Sequence, residues 1–152
     1  MIKELIVIEK SAHTWEEAIG YTADALLRKG YVKESFYQAC VDREKVFPTG
    51  LPTEIPVAIP HTDAIHVNVP AVCLMRLEKP VAFASMEDSD QTVDVEFVFN
   101  MALAKGEDLL AMIEAIIGTV QNTQFWQAAK QMGLDAIYQS LYEKWSSAGV
   151  IE

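Results

Sequence analysis

Two of the chain's three histidines, His61 and His66, fall in one stretch, PTGLPTEIPVAIPHTDAIH, from Pro48 to His66. Near neutral pH an imidazole is mostly uncharged and keeps a lone pair on one ring nitrogen, so it can act as base, nucleophile or metal ligand. Val57-Ala58-Ile59 reads as a short buried strand that Pro60 ends, because proline fixes its own φ, lacks an N–H and biases Ile59 toward extended geometry. His61 is then expected on the lip of a sheet, where loops leaving strand ends display reactive groups. Taken alone, a histidine after a proline in a turn is more often structural or merely exposed, so the case rests on its companions.

The first companion is Arg43. Phe36, Cys40, Arg43 and Phe47 recur at helical spacing, which puts a guanidinium near the middle of an apolar stripe. Either its stem packs on the core with the head in water, or it meets an anion close to His61. Pro48-Thr49-Gly50-Leu51-Pro52 is a turn by composition. Its Thr49 hydroxyl can donate to a phosphoryl oxygen and Gly50 permits close backbone approach, although the loop has neither Walker nor dinucleotide spacing. A metal site from His61, Asp63 and His66 is the remaining chemistry. Those spacings do not share one helical or strand face, and no HExxH pattern occurs.

The elements that must position these residues alternate along the chain. Leu5 to Ile8 reads as a strand, and Thr14-Trp15-Glu16-Glu17 has the capping-box spacing at the start of a helix that stops at Gly30. A second helix is expected from Lys33 to Val46. Ala71 to Met75 is a continuous apolar run, as in an internal strand covered on both faces. Glu78-Lys79-Pro80 reads as a turn into a short edge strand, Val81-Ala82-Phe83. Met86 to Gln91 is an acidic loop, and Val93, Val95, Phe97 and Phe99 form a strand with one buried face. The last third is helical: a stripe from Leu109 to Val120, a shorter helix capped by Thr123 through Met132, and a final one from Asp135 to Trp145. Strands interleaved with helices imply an α/β sandwich with a mixed central sheet, in one domain over residues 1–152.

Composition narrows the partners. The chain has 152 residues, 51% of them hydrophobic, enough for a real core without staples. The net charge of −10, with no dense Lys/Arg run, argues against nucleic acid and anionic membranes. Cys40 and Cys73 sit in apolar segments outside any CxxC pair, as expected of two buried thiols in a reducing compartment. No stretch approaches a membrane span and the N-terminus lacks a secretory pattern, so a cytoplasmic protein is expected.

Asp42-Arg43-Glu44, Phe47-Pro48-Thr49-Gly50-Leu51 and Ala58-Ile59-Pro60-His61-Thr62-Asp63, followed by His66, Pro70-Ala71-Val72 and Pro80-Val81-Ala82-Phe83, together resemble one family. It is the IIA component of the fructose/mannitol superfamily of the bacterial phosphoenolpyruvate-dependent sugar phosphotransferase system. The resemblance implies that His61 takes a phosphoryl group from the carrier protein HPr and hands it to a IIB component, which works with a membrane IIC component, and that no cofactor is needed. It makes Arg43 the active-site arginine, with Thr49 and the backbone around Gly50 and Thr62 as further phosphate donors. Mannitol-type members carry a second histidine near the start of the helix after the last strand, whereas Lys105-Gly106-Glu107-Asp108 has none here. Either that role is absent or His66 fills it, as in a galactitol-like branch, which points to galactitol or a related polyol or pentitol. A regulatory phosphotransfer module of the same fold, acting on a partner protein, is the alternative.

Overall fold

The computed structural model describes residues 1–152 as five strands and five α-helices with two short 3-10 turns. In chain order these are β1 (Glu4–Lys10), α1 (Trp15–Arg28), α2 (Phe36–Val46), β2 (Gly50–Leu51), β3 (Val57–Ala58), β4 (Ala71–Ala84), β5 (Thr92–Ala102), α3 (Leu109–Val120), α4 (Thr123–Ala129) and α5 (Leu134–Ser147). The sheet order is β1-β4-β5-β3-β2, with β1/β4 and β3/β5 parallel and β4/β5 and β2/β3 antiparallel. This is the α/β sandwich with a mixed sheet expected from the sequence.

Each face of the sheet carries its own core. Twenty-two buried side chains lie on the side of α3, α4 and α5, and twenty-one on the side of α1 and α2, so the sheet is about equally covered on both sides. That explains the continuous apolar run of β4, which lies between β1 and β5. β5 alternates only in its first half, and Phe97 to Ala102 is buried on both faces, beyond the single face expected. On the larger core Trp126 meets Phe97 and Phe99 edge-on, with ring centroids 4.8 and 5.6 Å apart.

Four local readings change. Glu78-Lys79-Pro80 is not a turn between two strands: β4 runs through it, and five steps along β4 from Arg76 to Val81 pass only two steps of β5 from Phe97 to Val95. A bulge of this size lets Pro80 sit where no ladder N–H is required. α2 starts at Phe36, because Val32 and Lys33 pair with the segment before β4: Val32 bridges Val67, and Lys33 N–H donates to His66 O at 2.9 Å. Asn122, not Thr123, caps α4, its Oδ1 accepting from Phe125 N–H at 3.3 Å. At α1, Thr14 Oγ1 accepts from Glu17 N–H at 3.2 Å as expected, but the Glu17 carboxylate lies toward His13, 3.7 Å from its Nδ1.

At the outer border of the sheet, beside β1, Ile151 bridges Ile2 in parallel, with Ile2 N–H donating to Val150 O and Glu152 N–H to Ile2 O, both at 2.9 Å. Cys40 and Cys73 are free and buried, and burial pushes the Cys73 thiol up to about 12, so it stays protonated. No helix is long and apolar enough to cross a membrane.

Candidate active site

Because β3 and β5 are parallel neighbours, their carboxyl ends open at the same border of the sheet, the usual place for a ligand in such a layer. The chain leaving β3 carries Pro60 and His61, and the chain leaving β5 leads to α3. Pairing does not stop at Ile59, as the proline rule predicts. Pro60 has no N–H, but its carbonyl still accepts from Met101 N–H at 3.0 Å, and His61 bridges Met101. One extra bridge therefore anchors His61 to β5.

The His61 side chain is less open than the lip position suggests, with 8% of its surface exposed. Its Nδ1 lies 2.8 Å from Ile59 O. A carbonyl only accepts, so Nδ1 carries the proton and Nε2 keeps the lone pair. Nε2 has no protein partner and is not among the chain's buried unpartnered polar atoms, so it is the nitrogen that faces the cavities. Burial lowers the affinity of this ring for a second proton, and the Arg43 charge lowers it further, against opposing contributions from Ile59 and Asp63. The result is a neutral imidazole at neutral pH, aimed by its Nδ1–H.

Two cavities meet at His61. The larger, of about 450 Å³, is lined by Arg43, Phe47, Thr49, Met86, Glu87 and Leu109 among others, and the smaller, of about 90 Å³, by Arg43, Thr62, Asp63, Gly106 and Leu109. Arg43 is common to both. It sits in the last turn of α2, where a cation is favoured by the helix dipole. No ion pair includes it, and its Nε is buried without an acceptor. Its guanidinium carbon lies 5.2 Å from the centroid of Phe47, a residue that is 61% exposed and therefore shields Arg43 from outside, not from the core. Such a cation–π contact is worth roughly 0.5–1 kcal/mol, less than the ~1–3 kcal/mol cost of a buried donor left unpaired. An anion in the cavity gives the guanidinium the opposite charge that no protein group supplies.

The apolar stripe of α2 also runs differently. Phe36, Cys40, Val41 and Glu44 are buried, so the stripe passes through Glu44 where Arg43 and Phe47 were expected. Glu44 is 6% exposed, and its carboxylate accepts from Thr49 twice: from the N–H at 2.6 Å, and from Oγ1 at 2.9 Å to one carboxylate oxygen and 3.1 Å to the other. Burial pushes its pKa up to about 7, against the lowering effects of Thr49 and Arg43. The Thr49 hydroxyl, expected to donate to phosphate, thus has its proton engaged by Glu44, while its oxygen also accepts from Ile59 N–H at 3.2 Å. Gly50 does not line either cavity. Its closeness is to protein, since a Cβ there would stand 2.6 Å from Ala84 O, and Met86 N–H donates to Gly50 O at 2.7 Å.

His66 is not brought to the site. Its Nδ1 lies 2.8 Å from Ser35 Oγ, in the lead-in to α2, and it lines neither cavity. Nor do His61, Asp63 and His66 form a metal-holding group, since no cluster of three or more His, Cys, Asp or Glu side chains of that kind occurs. At the place where mannitol-type members would carry a second histidine, Gly106–Asp108 forms a 3-10 turn leading into α3, and Gly106 and Leu109 line the smaller cavity. The start of a helix offers positive dipole and backbone donors in place of an imidazole. Sequence reasoning missed Glu44, the Ile59 carbonyl and Leu109. Only Glu44 had a usable signal, its spacing of four and eight from Cys40 and Phe36.

Relatives of the chain are found both by sequence and by fold. Residues 1–144 match the family described as phosphoenolpyruvate-dependent sugar phosphotransferase system, EIIA 2. The galactitol-specific EIIA component of the phosphotransferase system of Escherichia coli K12 is 32% identical over 106 residues, covering 69% of this chain and 70% of that protein. Among solved structures, a phosphotransferase-system IIA protein from Streptococcus mutans superposes with a TM-score of 0.77 at 19% identity, over 97% of this chain and 92% of that one. The mannitol enzyme IIA of Escherichia coli, solved in complex with phosphorylated enzyme IIB, gives 0.70 at 22% identity, over 88% and 91%. At these identities the two structures speak to the fold alone.

Proposed function

The chain belongs to the EIIA 2 family of the phosphoenolpyruvate-dependent sugar phosphotransferase system, and is a phosphotransferase component of it; on that premise we propose that His61 Nε2 is the atom that carries the phosphoryl group. The observation that carries the reading is the Arg43 guanidinium, unpaired and part-buried, lining both cavities onto which the free nitrogen of His61 opens. The donor is the phosphohistidine of HPr and the acceptor a IIB component working with membrane-bound IIC.

The step follows from the geometry. Nε2 attacks phosphorus in line; the Nε2–P bond forms as the donor's N–P bond breaks, and the departing imidazole keeps that electron pair. His61 retains its Nδ1–H, and the positive charge developing on the ring is met by the Ile59 carbonyl. Arg43 faces the three phosphoryl oxygens. At about 4 Å and an effective dielectric of about 20, each unit of charge there gains roughly 4 kcal/mol from it. Asp63 and Glu87 line the same cavities and oppose the dianion, while carboxylates beyond about 10 Å are screened. The net hold is therefore moderate, which suits a group that has to leave again. Thr62 remains a candidate donor at the smaller cavity, and Thr49 and Gly50 contribute by shaping the loop.

The galactitol-specific relative supports galactitol, or a polyol like it, as the sugar served. Incubation with phosphoenolpyruvate, enzyme I and HPr tests the proposal. An acid-labile label is expected in the wild type and in His66→Ala and none in His61→Ala, with phosphorus NMR placing it on Nε2. A label that survives in His61→Ala removes His61 from the mechanism.

A further inference from the structure

Glu44 is the one buried carboxylate whose polar contacts all lead toward the reactive ring. It accepts from Thr49 N–H and Oγ1; Thr49 Oγ1 accepts from Ile59 N–H, which is shared with Thr49 O at 3.4 Å; and Ile59 O accepts from His61 Nδ1 at 2.8 Å. Thr49 immediately precedes β2 and Ile59 immediately follows β3, and these strands pair through Gly50 with Ala58. The carboxylate therefore clamps the beginning of one edge strand to the end of the next, at the peptide that orients the imidazole.

We propose that Glu44 is a positioning residue for phosphoryl transfer, acting through Thr49 and the Ile59 peptide to hold His61 as the Nδ1–H tautomer with Nε2 turned to the cavity. The inference rests on His61 being the acceptor. A carboxylate at this depth is a poor choice for stability alone, since burial opposes its charge and an apolar side chain of similar volume fills the same space without that penalty. Its worth lies in the two donors it gathers from one residue. The tautomer matters because the proton on Nδ1 decides which nitrogen is nucleophilic, and a histidine's tautomer is set by the hydrogen bond its other nitrogen makes. α2 thus supplies both parts of the site: Arg43 on the cavity side, and Glu44 on the adjoining, buried face.

The test is nitrogen-15 NMR of the His61 ring, which reads tautomer populations without any phosphoryl donor. A failure here and a failure of the His61 assignment are therefore seen separately. The Nδ1–H form is expected to dominate in the wild type. Thr49→Val should raise the Nε2–H form several-fold and Thr49→Ser should keep the Nδ1–H form dominant, with Glu44→Gln lying between the two. Phosphorylation rates should fall in the same order. The wild type supplies a second readout that needs no substitution. The His61 ring shifts should show an inflection at the pH where the Glu44 carboxyl carbon titrates, distinct from the ring's own midpoint. The charged or titratable neighbours to be followed with them are Arg43 and Cys40 around Glu44, and Arg43, Asp63 and Glu87 around His61. Tautomer populations unchanged in folded Thr49→Val and Glu44→Gln, or no Glu44 inflection in the wild-type ring shifts, would overturn the proposal.

Discussion

Replacing Glu44 by glutamine should remove one pH-dependent contribution to stability. The folded carboxyl has its pKa pushed up from 4.5 to about 7, with burial as the main cause. A group whose pKa is raised on folding binds its proton more tightly in the folded state. Its stabilising contribution is thus complete below 4.5 and disappears as pH rises through 7. The difference between those two values, at about 1.36 kcal/mol per unit, amounts to about 3 kcal/mol. Glutamine keeps an acceptor for Thr49 N–H and offers a donor to its oxygen, but carries no charge to bury. Urea unfolding of both proteins at half-unit steps from pH 5 to 8.5 measures the effect, because titrations common to both largely cancel in the difference. Relative to wild type, Glu44→Gln should gain about 3 kcal/mol across this range, or roughly 1.5 M in urea midpoint for an m-value of about 2 kcal/mol/M. A difference that stays constant with pH would show that Glu44 is charged throughout and that burial does not govern it.

Arg43→Ala should lower the rate of phosphoryl transfer by about 10²–10³-fold, as for loss of one preorganised donor to developing charge, with unfolding midpoints little changed; unaltered rates would remove Arg43 from the chemistry. The His61 ring, held below its usual 6.5 by burial and by Arg43, should still accept phosphoryl at pH 6.5, and a proton NMR midpoint at or above 6.5 would contradict this. Gly50→Ala should lower stability by about 1–3 kcal/mol in thermal unfolding, because the new methyl group meets a backbone oxygen of β4 that cannot give way; an unchanged Tm would mean that the edge strand relaxes freely. His66→Ala should lose the contact with Ser35, costing about 1 kcal/mol of stability, and keep full phosphoryl acceptance.

Much of the architecture was legible because it rests on local rules. Alternation in β5, the apolar run of β4 and the helical stripe from Leu109 each reflect burial, which sequence records directly. The place of His61 was legible for the opposite reason, since a histidine straight after a proline at a strand end is a local inconsistency; Arg43 reaches the same cavities although the buried stripe of α2 runs beside it, through Glu44. What escaped depended on contacts that no local pattern records, some of them between distant segments. Nothing near Thr49 says that its hydroxyl serves a helix residue five positions earlier. The composition of its turn suggests a ligand contact at Gly50, and no local pattern reveals that β4 passes within touching distance. His66 stands close to His61 in sequence, yet the 3-10 turn Ala64–His66 directs it to the start of α2.

The few residues that lie alongside Ile2 have a practical meaning for anyone joining this chain to another or trimming it. Val150 to Glu152 act as a selvedge, occupying the amide and carbonyl of Ile2 that would otherwise stand open to a neighbouring molecule. Their removal should leave those two groups without partners, so a shortened version is expected to be less stable than one that keeps them.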